Sequence, residues 1–139
     1  MKAITPCLLR FALTATGLTI IFRYFLSFGI EDGSSIAIIL SAVSYGIAMF
    51  IGGLYFGRKD GAYLPVYDVG FRFHFITYLV HNSVSVLWFA FGLNSQYEQI
   101  ETVYATAIIW GIFLTIHFIF FLWARKNSIN SLNKEDLFE

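Results

Sequence analysis

The sequence predicts an all-α integral membrane protein, a four-helix up-down-up-down bundle with both termini cytoplasmic (N-in/C-in). Three observations predict it. Of 139 residues, 58% are hydrophobic and only 13% charged, against about 25% charged in an ordinary soluble domain. Four apolar stretches are each longer than the roughly 20 residues that a helix needs to cross a bilayer. The basic residues are segregated along the chain instead of being spread over it.

The elements follow in order. The first span is expected over about 7–29, the second over about 35–57, the third over about 70–93 and the fourth over about 103–124, with 125–139 a short polar cytoplasmic tail. Residues 1–139 thus form a single transmembrane domain. The early Lys2 and Arg10 followed by an apolar run resemble a signal peptide. Arg23, Tyr24 and Phe25 stand where a small-residue cleavage site would be needed, so an uncleaved first helix is expected. The connections break helices: Ile30 to Ser34 holds Glu31, Asp32 and Gly33, and Arg58 to Val69 holds Gly61 and Pro65. Asp68 is expected to cap the third helix. Asn94 to Thr102 is polar throughout.

Orientation follows from Lys and Arg, which concentrate on the cytoplasmic side. Lys2, Arg10, Arg58, Lys59, Arg72, Arg125, Lys126 and Lys134 fall on one side of the four spans, whereas the first and third connections carry Glu31, Asp32, Glu98 and Glu101. A bacterial inner membrane fits this pattern. On helix two, Ser44, Ala48 and Gly52, with Gly53 and Gly57, form a small-residue stripe of the kind that lets helices approach closely in lipid. It serves either packing within the chain or an oligomer contact.

In an apolar chain the polar groups at depth carry the information. Arg23 is the costliest, and is expected either to reach the outer interface or pair with Glu31, Asp32, Glu98 or Glu101, or to remain buried and bind an anion or a lipid headgroup. Helix three has His74, Thr77, His81, Ser85 and Trp88 on one face, with Asn82 beside it. Tyr45 on helix two and His117 on helix four are expected at similar depth. The ligand and pathway candidates are therefore Arg23, Tyr45, His74, His81, Asn82 and His117. A His81–His117 pair on antiparallel helices is a weak candidate for haem or another metal, with no carboxylate or thiolate nearby to complete a zinc site. His81 and Ser85 have the spacing of a histidine-activated serine, without an acid in the membrane to orient the imidazole.

Absences narrow the function. A net charge of zero argues against nucleic acid as a partner. Cys7 is the lone cysteine, so two-thiol redox cycling is excluded. No Asp or Glu lies inside a span, where cation-coupled transporters need one. The expected partners are the lipid bilayer and a second copy or another membrane protein. The first expectation for function is a non-enzymatic subunit or oligomer-forming scaffold. The alternatives are an oligomeric carrier or channel for an anion or small solute using Arg23 and His81, and a bis-histidine haem or metal electron carrier.

Overall fold

The computed structural model describes residues 4–130; Lys2, Lys134 and most of the expected tail lie outside the described residues. The chain forms four helices, α1 (Pro6–Glu31), α2 (Ser35–Asp60), α3 (Val66–Ala90) and α4 (Ile100–Asn130), and no strand is present among the described residues. At a rise of about 1.5 Å per residue each is long enough for a hydrocarbon core of about 30 Å. Helices α1, α2 and α4 are both long and apolar enough to cross a membrane. Helix α3 is of similar length and carries Asp68, Arg72, His74, His81 and Asn82.

The ends are set by local chemistry. Thr5 caps α1, its Oγ1 accepting from the Leu8 N–H (3.0 Å), with Pro6 at the position where a missing N–H costs nothing. The Thr5 hydroxyl also donates to Asp60 at the end of α2. Helix α1 is closed by Gly33, two residues past its end, whose φ of 65° is left-handed; Ser34 N–H bonds back to Gly29 O and Gly33 N–H to Ile30 O. Gly92 (φ 67°) closes α3 in the same way, with Leu93 N–H on Trp88 O. The expected cap of α3 by Asp68 is not made. The helix starts earlier, after Pro65, and both Asp68 carboxylate oxygens are taken by Arg72 (2.7 and 2.8 Å). Helix α4 continues through Arg125 and Lys126, which the sequence placed in the tail.

Helix α1 is the spine. Leu8, Phe11, Ala15, Thr19, Arg23 and Ser27 recur at three- and four-residue spacing, lie on one face and are all buried. The adjacent turns of α3 run parallel to it: Phe11 meets Phe73 (ring centroids 4.7 Å) near one end, and Ser27 accepts from Trp88 Nε1 (3.0 Å) near the other. Leu8, Phe11, Ala15, Val69 and Phe73 form the apolar core. Helix α2 is antiparallel to α1. Helix α4 packs against α3, but its backbone approaches neither α1 nor α2 closely. This departs from a square bundle, in which α1 and α4 would be neighbours. The close α1–α3 contact takes the diagonal and leaves α4 displaced, so space remains between α1 and α4.

Candidate functional site

That space is a cavity of about 520 Å³ towards the end of the bundle that carries the α1–α2 and α3–α4 connections. All four helices contribute to its wall: Phe22 and Arg23 from α1, Tyr45 from α2, His81, Asn82, Ser85 and Phe89 from α3, and Thr106 and Trp110 from α4. Tyr97 and Glu98 of the α3–α4 connection complete it.

Arg23 is buried, 5% exposed, and forms an ion pair with Glu98 at 2.5 Å; both side chains are 6% exposed. The guanidinium carbon also lies 5.5 Å from the Phe89 ring centre, a cation–π distance. Glu98 is presented by a tight turn in which its Oε1 accepts from the Ser95 N–H (3.2 Å) while Ser95 Oγ accepts from the Tyr97 N–H (3.2 Å). This resembles the reciprocal bonding of a capping box. Ser95 and Gln96 in turn donate to Glu31 at the end of α1. The α3–α4 connection is thereby tied to α1 at two levels.

Below the ion pair, Thr19, Tyr45 and His81 form a hydrogen-bonded row across three helices. Thr19 Oγ1 lies 2.7 Å from Ala15 O and 3.1 Å from Tyr45 Oη, and Tyr45 Oη lies 3.1 Å from His81 Nδ1. Counting protons orders the row. The Thr19 hydroxyl must donate to the Ala15 carbonyl, because a carbonyl only accepts. Tyr45 then donates to Thr19, and His81 Nδ1–H donates to Tyr45. All three bonds form only in this sense, which leaves His81 Nε2 with a lone pair. Phe22 stacks on Tyr45 (4.5 Å) and Trp110 stands 5.3 Å from His81, so aromatic rings hold the imidazole in place.

Three buried side-chain polar atoms among the described residues lack a hydrogen-bond partner: Arg23 Nε, Asn82 Oδ1 and Ser85 Oγ. All three belong to residues lining this one cavity. An unpaired buried polar group costs about 1–3 kcal/mol, so three gathered at one cavity mark a place where the fold alone does not satisfy its own chemistry.

The structure brings Arg23, Tyr45, His81 and Asn82 together and leaves the other two candidates elsewhere. His74 and His117 touch each other (ring centroids 5.0 Å) closer to the opposite end, with His117 also against Phe71. This corrects the His81–His117 ligand pair. Trp110 lies across from His81, and from Trp110 to His117 is seven helix positions, or about 10 Å of rise. Two imidazoles offset by that much along the bundle, one of them already bonded to Tyr45, do not face each other across a haem. The His74–His117 rings are in direct contact, which leaves no space for a macrocycle between them. Among the described residues, no group of three or more His, Cys, Asp or Glu could hold a metal ion. The His81–Ser85 hydrolase spacing is likewise unused: His81 Nδ1 bonds Tyr45, and Ser85 Oγ bonds nothing.

The small-residue stripe is divided among different surroundings. A Cβ on Gly52 would stand 3.7 Å from Phe11, and one on Gly57 would stand 3.5 Å from Val69, so these two serve packing within the chain. Gly53 has open space beside it, and Ser44 and Ala48 line an apolar groove of about 430 Å³ between α1 and α2. Sequence reasoning missed Ser95 as the residue that positions Glu98, although Ser95-x-x-Glu98 before an apolar run is a readable capping-box signal. Compared with family models, curated proteins and solved structures, the chain has no match in any of the three.

Proposed function

We propose that this chain is a non-enzymatic multi-pass membrane protein that takes a small uncharged polar solute into the Arg23–His81–Asn82–Ser85 cavity, as a carrier or channel subunit does. The observation that carries this reading is the cavity of about 520 Å³ that the polar residues Arg23, Tyr45, His81, Asn82 and Ser85 help to line inside an otherwise apolar bundle. The anion version of the carrier reading is less favoured. Glu98 neutralises Arg23 directly, so the site offers no net positive charge.

The placement of Arg58, Lys59, Arg72, Arg125 and Lys126 supports an orientation with both termini in the cytoplasm of a bacterial inner membrane and the cavity in the outer half of the bilayer. Four helices enclose a pathway only with help, so an assembly of copies is part of the proposal. The scaffold reading has less behind it, because two of the five stripe residues are used in packing within the chain.

The test is solute flux. Proteoliposomes should show urea or acetamide permeation above that of empty vesicles in stopped-flow light scattering. A Thr106→Trp chain, which narrows the cavity from the α4 side, should reduce it at least about tenfold. Permeation equal to empty vesicles, or unaffected by Thr106→Trp, overturns the reading.

A further inference from the structure

A second cavity, of about 770 Å³, lies in the other half of the bundle and reaches Arg58 and Gly61 beside the α2–α3 connection. Gly46, Gly53 and Gly70 line it, and each has open space where a Cβ would stand, so missing side chains leave the room. The two cavities divide the helices at one level. On α2 the smaller cavity takes Ala42, and the larger takes residues from Gly46 onward. On α3 the larger ends at Thr77 and the smaller begins at His81. Tyr45 and Trp110 are the two residues that line both.

At that level stands a layer of rings, one from each helix: Phe22 of α1, Tyr45 of α2, His81 of α3 and Trp110 of α4. Ring centroids are 4.5 Å apart from Phe22 to Tyr45, 5.7 Å from Tyr45 to His81 and 5.3 Å from His81 to Trp110. Each ring sits nine or ten positions from the end of its helix at the α1–α2 or α3–α4 connection. At about 1.5 Å per residue this is about 15 Å, half of a hydrocarbon core of about 30 Å.

We infer that the two cavities are the halves of one transmembrane pathway, and that this ring layer is the barrier between them and sets the size of the solute that passes. The inference rests on the solute reading of the smaller cavity and adds the larger cavity and the barrier. Tyr45 is fixed in the layer by its bonds to Thr19 and His81. Trp110 is held by ring contacts with His81 and Tyr78 (5.9 Å), on the helix whose backbone comes close to α3 alone. It also lines both cavities, so Trp110 is the ring whose removal joins them.

A charged methanethiosulfonate, which reacts with thiols and does not cross lipid, reads the barrier in sealed vesicles of one orientation. In a Cys7→Ser background, Thr106→Cys probes the smaller cavity and Thr77→Cys the larger. Each should react at least about tenfold faster from one face than from the other, since a charged group crosses an apolar layer at high cost. The favoured faces of the two should be opposite. Trp110→Ala should erase this sidedness and raise urea permeation severalfold. With Trp110 in place, equal rates from both faces, reaction of both cysteines from the same face, or no reaction at Thr77→Cys from either face overturns the inference, whether or not Trp110→Ala folds. Unchanged sidedness in a folded Trp110→Ala chain overturns it too. Urea flux that persists beside an unreactive Thr77→Cys would sink the two-cavity pathway alone. Absence of flux together with an unreactive Thr106→Cys would remove the solute reading with it.

Discussion

Glu98, carried on the connection between α3 and α4, reaches across to the guanidinium of Arg23 in the second half of α1, and both side chains are almost completely buried. A buried charge is stabilised by its partner far more than the pair is stabilised relative to an apolar replacement. The single substitutions Arg23→Met and Glu98→Leu should each destabilise the bundle by about 3–5 kcal/mol, because each strands one charge. The double substitution should be less destabilising than the sum of the two. Reversible unfolding in mixed micelles, arranged as a double-mutant cycle, measures this coupling. Additive losses would mean that the two groups do not act as a pair.

The proton order of the Thr19–Tyr45–His81 row gives a second expectation. With Tyr45 donating to Thr19, the imidazole carries its hydrogen on Nδ1. Nitrogen NMR of the labelled chain should therefore show His81 as the Nδ1–H tautomer. Tyr45→Phe removes the acceptor of that hydrogen, and the tautomer preference should disappear. The stability loss should be modest, about 0.6 kcal/mol for each interhelical bond removed. An Nε2–H signal in the unsubstituted chain would reverse the row.

Much of this arrangement was legible in the residues, and the limits have physical causes. The helix count follows from hydrophobic run lengths alone. The face of α3 that holds His81 and Ser85 follows from helical period, and Glu98 was among the acids expected to pair with Arg23. What period cannot supply is which helices touch. A square bundle would have put α1 beside α4, whereas small and polar side chains at Ala15, Thr19 and Ser27 let α1 settle against α3. The offset between His117 and His81 is one of axial register: α3 begins at Val66 and not at Gly70, so His74, and not His81, lies level with His117. Asp68 has the position of a cap for a helix that starts at Gly70, but α3 starts at Val66. A local ion pair with Arg72 competes for the same carboxylate, and Arg72 takes it.

Two glycines should respond in opposite directions to alanine. A Cβ on Gly29 would lie 3.1 Å from Ile38 Cγ1, 3.2 Å from Ala37 Cβ and 3.2 Å from the Ile38 backbone nitrogen, where the chain reverses into α2. Backbone cannot yield cheaply there, so Gly29→Ala should cost about 1–3 kcal/mol as an overpacked contact does. Gly17 has open space around it in the middle of α1. Gly17→Ala should stabilise by up to about 1 kcal/mol, since alanine restricts the unfolded backbone and favours helix. Melting temperatures of the two variants in one detergent would decide it. A stabilised Gly29→Ala chain would show that α1 and α2 do not meet at this turn.

The faces of α1 test the solvent that surrounds the bundle. Ala15 is fully buried against α2 and α3, whereas Leu13, only two positions away, is 68% exposed. Ala15→Leu forces extra methylenes into a filled interface and should cost about 1–3 kcal/mol whatever the solvent. Leu13→Asp separates the possibilities. In water, replacing an exposed leucine by aspartate is harmless and improves solubility. In hydrocarbon a carboxylate is penalised, by about 2.5–3.5 kcal/mol at a helix centre and by less at Leu13, eight residues into α1, and the chain should insert less efficiently into membranes. Fractionation of the Leu13→Asp chain between membrane and soluble extract reads this directly. A variant that becomes soluble and monodisperse in buffer, with its helical content intact, would overturn the assignment of α1 as a lipid-facing span.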